Sequence, residues 1–139
     1  MGSSENEAAR LDADLYFPSR LKEIFSEFKI AAPEKIGTQE VTVVRALRAG
    51  KPPLKLYFDQ QSGLLVRMVR YGDTPLGLLP TEVDYADYRD SGGVKIPFRW
   101  TIARPSGRFT IQVDHVDQNV PVDAAKFTPP PAPPAEPKP

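Results

Sequence analysis

The chain has 139 residues, 18 basic against 18 acidic, with 40% hydrophobic residues and no cysteine. Balanced charge leaves no net field to gather nucleic acid or an anionic membrane surface, and the missing cysteine excludes disulfides, thiolate nucleophiles, Cys-ligated zinc and covalent haem attachment within these residues. The length suits one domain burying roughly 65–70% of its unfolded surface, and no apolar run reaches the ~20 residues that span a bilayer.

In chain order, Met1-Gly2-Ser3-Ser4 reads as a cloning scar. The polar stretch 5–15 places Ala8, Leu11 and Leu15 at loosely helical spacing and predicts a short helix. Over Ser19–Ile30 the pattern sharpens, because Leu21, Ile24, Phe25 and Phe28 recur at i, i+3, i+4 and i+7. This predicts one amphipathic helix over 19–30, entered at Pro18 and ended ahead of Pro33.

Strands follow. Runs at 40–48, 54–59 and 64–71 are separated by Gly50-Lys51-Pro52-Pro53 and by Gln60-Gln61-Ser62-Gly63. Two glycines and two prolines make 72–80 a loop before a strand at 81–90. Val94, Ile96, Phe98, Trp100 and Ile102 then alternate strictly, and Phe109, Ile111 and Val113 pair with them across the turn at Pro105-Ser106-Gly107. Pro97 requires an edge position or an outward, unpaired backbone, since it donates nothing to a ladder. A short helical turn at 123–127 closes the fold, and the proline-rich tail 129–139 is extended and unpacked. The expected fold is α+β: a curved, half-barrel-like antiparallel meander of about six strands, lying within 40–119, packed on one amphipathic helix in a single domain over 5–128.

Three blocks carry a family resemblance: Gly63-Leu64-Leu65-Val66-Arg67, then Asp84-Tyr85-Ala86-Asp87-Tyr88-Arg89, then Gly93-Val94-Lys95-Ile96-Pro97-Phe98. They resemble the lipoprotein-carrier-like half-barrel domains of the bacterial cell envelope. More closely, 48–127 is similar to the domain that follows the haem-binding part of acidobacterial proteins related to the photosynthetic reaction-centre cytochrome c subunit. The resemblance implies a curved sheet over a helix, a periplasmic or other extracytoplasmic setting, and a neighbouring cytochrome domain as partner. It brings no cofactor to this chain, which lacks Cys-x-x-Cys-His.

Catalytic signals are thin. His115 is the sole histidine, and a polar strand end accounts for it; Asp117 beside it makes at most a two-ligand site, below the usual metal set. Asp84 and Asp87 are three apart, which strict alternation puts on opposite faces, so a solvated strand with Asp87-x-Arg89 in cross-strand pairing is expected. Ser62, Ser91 and Ser106 sit beside turn glycines and lie in no nucleophile elbow.

Phe25, Phe28, Met68, Phe98, Trp100 and Phe109 are the candidates for lining a pocket between sheet and helix, or for filling that space as core. Three function classes stay open. The first is a non-enzymatic docking or accessory domain for an envelope redox protein. The second is a carrier or sensor of an apolar ligand such as a lipid or acyl chain, and the third is an enzyme.

Overall fold

A computed structural model describes residues 3–14 and 17–131. It is mostly antiparallel sheet with a few short helical segments, an α+β arrangement. Helix α1 (Ser3–Ala13) is followed by a 3₁₀ turn (Phe17–Ser19), the four-residue helix α2 (Leu21–Ile24) and eight strands. These are β1 (Glu27–Ile30), β2 (Glu34–Ile36), β3 (Gln39–Leu47), β4 (Leu54–Asp59), β5 (Leu65–Thr74), β6 (Gly77–Ser91), β7 (Val94–Arg104) and β8 (Gly107–Gln112). A 3₁₀ turn at Ala124–Phe127 falls where a helical turn was expected, its Asp123 side chain capping the Ala125 amide.

The sheet is open and half-barrel-like, running β1-β3-β4-β5-β6-β7-β8 with β2 also on β3. The sheet has eight strands where about six were expected, because β1 and β2 add to the free edge of β3. The helix expected over 19–30 is corrected: α2 ends at Ile24, and Phe25 is already extended at φ −116°, ψ 142°. Past it, β1 pairs with the free edge of β3, beginning where the Ser26 amide and hydroxyl both donate to the Leu47 carbonyl. That open edge offers the backbone the same partners a longer helix would, so tertiary pairing overrides a one-turn periodicity.

β1 and β2 are two halves of one edge strand. From Ile30 opposite Val44 to Glu34 opposite Val41 the edge takes four steps against three on β3, and Pro33 sits in that excess. The loop expected at 72–80 is also corrected. The β5–β6 hairpin stays paired through Tyr71↔Pro80 and Gly72↔Leu79 to Thr74↔Gly77, leaving a two-residue turn. Pro80 is tolerated because the β6–β7 ladder begins only at Glu82↔Ala103, so β6 is an edge there. Pro97 likewise lies past the end of the β8 ladder, whose last pair is Arg99↔Gln112. Gly92 and Gly93, at φ 60° and 84°, form the two-residue turn that joins β6 to β7, a conformation few other residues adopt.

Both faces of the central strands are buried. On one, Phe17, Phe25, Ala46, Leu54, Leu56, Leu65, Met68 and Val83 pack together, with Leu11, Leu21 and Ile24 laid against them. On the other, Val41, Val43, Tyr57 and Val69 pack with Ala31 and Ile36. Leu65 and Met68 share a core although three residues apart, because β5 is bulged: Tyr57 faces Arg67 but Phe58 faces Leu65. The expected strand region to 119 stops at Gln112. Ser3 and Ser4 of the expected scar begin α1, whereas Met1 and Gly2 lie outside the described residues, as do Leu15 and the tail from 132 onward.

Candidate ligand cavity

A cavity of about 440 Å³ lies between the N-terminal segment and the sheet. Leu11, Asp12, Asp14 and Phe17 bound it on one side. Leu65, Val83, Tyr85 and Tyr88 from β5 and β6, and Val94, Lys95, Ile96, Pro97, Trp100 and Ile102 from β7, form the sheet wall. Ile111 and the segment Val116-Asp117-Gln118-Asn119 complete it. That size falls within the roughly 300–1,000 Å³ of ligand sites, and the lining has their character, mainly apolar with a few polar groups.

Local chain geometry builds this wall. Asp87, at φ 53°, stands where Phe98 would face it in the otherwise continuous β6–β7 register between Ala86↔Arg99 and Tyr88↔Pro97. Tyr85 and Tyr88, which bracket Asp87, both line the cavity, and so do Pro97 and Trp100. The Tyr88 hydroxyl donates to the Leu65 carbonyl at 2.5 Å, tying β6 to the start of β5. Burial pushes the Tyr88 phenol up to about 12. It raises Tyr85 as well, with the negative charge of Asp12 adding to the effect. The Trp100 Nε1 is buried with no hydrogen-bond partner among the described residues, an arrangement that costs about 1–3 kcal/mol.

The carboxylates at the cavity each have a side-chain partner. Arg70 holds Asp12 through two hydrogen bonds, at 3.2 Å from Nε and 2.7 Å from Nη2, which also fastens α1 to β5. Arg20 reaches Asp14 at 3.1 Å. His115 Nε2 lies 2.7 Å from Asp117. Lys95 has no ion pair among the described residues.

Of the six residues proposed from sequence, only Trp100 lines the cavity. Phe25 and Met68 are core, and the Arg48 guanidinium sits 5.7 Å from the Phe25 ring centre. Phe98 is buried under Arg89, whose guanidinium is 4.6 Å from its ring. Phe28, on β1, keeps an edge-on contact with Phe25 but is 39% exposed, and Phe109 on the outer strand β8 is 48% exposed. Strict alternation does not select Tyr85, Tyr88 and Leu65, because Tyr85 and Tyr88 bracket the positive-φ Asp87 and Leu65 adjoins the β5 bulge. The signal was present as the Tyr-x-x-Tyr spacing in Asp84–Arg89.

Matching this chain to protein-family models, to curated proteins and to solved structures finds no match in any of the three.

The acidic candidates are spoken for. Asp84 accepts two hydrogen bonds from Arg67, at 2.5 and 3.0 Å, and Arg67 also reaches Glu82 at 3.2 Å. Asp87 accepts two from Arg89 on its own strand, which holds its carboxyl below the usual range. Asp90 accepts from the Gly93 amide and so shapes the turn. Ser62 donates both its amide and its hydroxyl to Asp59, and this lowers the Asp59 carboxyl. His115 lies beyond β8, off the sheet. Among the described residues no group of three or more His, Asp or Glu side chains is placed to hold a metal ion, and no helix is long and apolar enough to cross a membrane.

Proposed function

We propose that this chain is a non-enzymatic binding module that takes one apolar or amphipathic small molecule between its sheet and its N-terminal helix. The observation that carries this reading is the cavity of about 440 Å³ with its mainly apolar lining. Interiors normally close to crystal-like density. Here one side is instead held off by α1, which the Arg70–Asp12 pair anchors. Such a site suits a lipid or acyl chain, and the envelope setting suggested by the hairpin likeness would supply one. Native and denaturing mass spectrometry of protein purified from cells tests the idea. A stoichiometric apolar molecule released on denaturation is the expected result; a native mass equal to the bare chain, together with no uptake of added lipid, would count against it.

A second reading, an accessory domain docking a cytochrome-like partner, is favoured by the tip of the β5–β6 hairpin. There Leu76 is 93% exposed, with Leu78 and Leu79 also turned to solvent. Exposed apolar clusters of this kind mark contact surfaces. Substituting Leu76 and Leu78 by serine would abolish that docking while leaving ligand uptake intact.

A further inference from the structure

The cavity's charges point to the head group of its ligand, an inference that rests on the binding-module reading above. Among the described residues four charged side chains line it. Three are carboxylates, and each has a polar side chain against it: the guanidinium of Arg70 on Asp12, that of Arg20 on Asp14, and the imidazole Nε2 of His115 on Asp117. The fourth, Lys95, has no ion pair among the described residues. Its cross-strand neighbour is Asp90, but that carboxylate is turned onto the Gly93 amide instead. Lys95 is exposed, while Ile96 and Trp100 further along the same strand are partly buried. An ammonium at the rim of an apolar space is the arrangement that suits an amphiphile with a charged end.

We infer that the ligand is a single-chain anionic amphiphile, its tail between Tyr85, Tyr88 and Trp100 and its head group against Lys95. Lysine acts as a compact point charge without the planar fork of arginine, so it takes carboxylate and phosphate alike. The shared chemistry is therefore one anionic head on one apolar chain. A neutral head would leave the ammonium unpaired, and a cationic head would repel it.

Trp100 is the only tryptophan and it lines the cavity, so its emission reports occupancy directly. The test titrates the full chain with dodecanoate, dodecyl phosphate and dodecanol, which share a tail and differ in the head. Expected is a preference of about threefold to fivefold for the anions over the alcohol, the size of an exposed ion pair. Lys95→Met should erase that preference without weakening dodecanol, and Lys95→Glu should reverse it; circular dichroism confirms that both variants are folded. A stronger response to the phosphate than to the carboxylate would assign the head group as phosphate, and the reverse as carboxylate. Equal binding of all three, or equal losses for all three in Lys95→Met, overturns the anionic head group while leaving the cavity in use. Silence of Trp100 toward every probe overturns the binding module and this inference with it.

Discussion

Tyr85 and Tyr88 lie three residues apart on one strand and yet line the same cavity. Alternation would place them on opposite faces. Asp87 between them, at φ 53°, resets the phase, and on the facing strand Pro97 and Trp100 show the same three-residue spacing into the same space. Two phenols and an indole thus come to one wall through a backbone irregularity.

Asp87 is therefore the position where backbone conformation and site geometry meet. A β-branched residue is strongly disfavoured at positive φ, whereas glycine adopts it freely. Asp87→Val should cost about 1–2 kcal/mol, and it should alter Trp100 emission because the wall must rearrange. Asp87→Gly should preserve that emission. Urea titrations and fluorescence spectra of the two variants check this, and equal behaviour would show that the φ at 87 does not set the wall.

The Tyr88 hydroxyl leads to an alkaline prediction with a definite sign. An unfolded tyrosine titrates near ~10, and the folded Tyr88 at about 12. Between those values the unfolded chain gives up a proton that the native state keeps, so stability falls as pH rises. The contribution is complete below ~10 and is lost as pH climbs through 12. Tyr88→Phe should cost about 0.5–1.5 kcal/mol at neutral pH, from the lost bond to Leu65. It should also flatten part of the alkaline decline in denaturation midpoints. An unchanged decline would remove Tyr88 from that role.

Much of the sheet was legible because its signals are local. Leu54–Asp59 alternates and ends at a turn closed by Asp59 and Ser62, so β4 could be read to the residue. Gly92-Gly93 names its own hairpin. What sequence did not disclose was non-local. Nothing within 27–30 announces that the edge of β3 is free, and the Phe28 spacing fits a helix as well as it fits β1. Phe25 and Phe28 share no helix face because α2 ends at Ile24, Met68 and Phe98 are buried core and Phe109 is exposed on β8, so of the six proposed pocket residues only Trp100 lines the cavity. Met68 and Phe109 make the distinction measurable. Met68→Ala should cost about 2–5 kcal/mol as a buried truncation, while Phe109→Ala on the exposed outer strand should cost less than about 1 kcal/mol. Similar losses in guanidinium unfolding would contradict the placement of the two side chains.

α1 holds one side of the cavity through the Arg70–Asp12 pair, and the Arg70 side chain is only 13% exposed. Asp12→Ala leaves that guanidinium without its carboxylate, and the loss should be about 1.5–3 kcal/mol. The opening should be local. Amides of α1 should exchange faster while those of β4 and β5 keep their protection, since helix and sheet core differ in how much they bury. Adding Arg70→Leu should recover part of the loss by removing the orphaned charge. Uniformly faster exchange would show that α1 is integral to the fold and not a detachable cover.

Trp100 separates a stability role from a binding role. Its Nε1 is buried and unpartnered among the described residues, so Trp100→Phe removes an unsatisfied donor along with some apolar area, and the two changes oppose each other. The net cost should stay below about 1.5 kcal/mol. Trp100→Ala removes the whole ring and should cost about 3 kcal/mol. If the cavity is used for an acyl chain, Trp100→Phe should retain most affinity and Trp100→Ala should lose it, measured with a fluorescent fatty-acid analogue whose signal does not depend on the tryptophan. Loss of affinity already in Trp100→Phe would mean that the indole N–H itself meets the ligand, which requires the wall to open around it during binding.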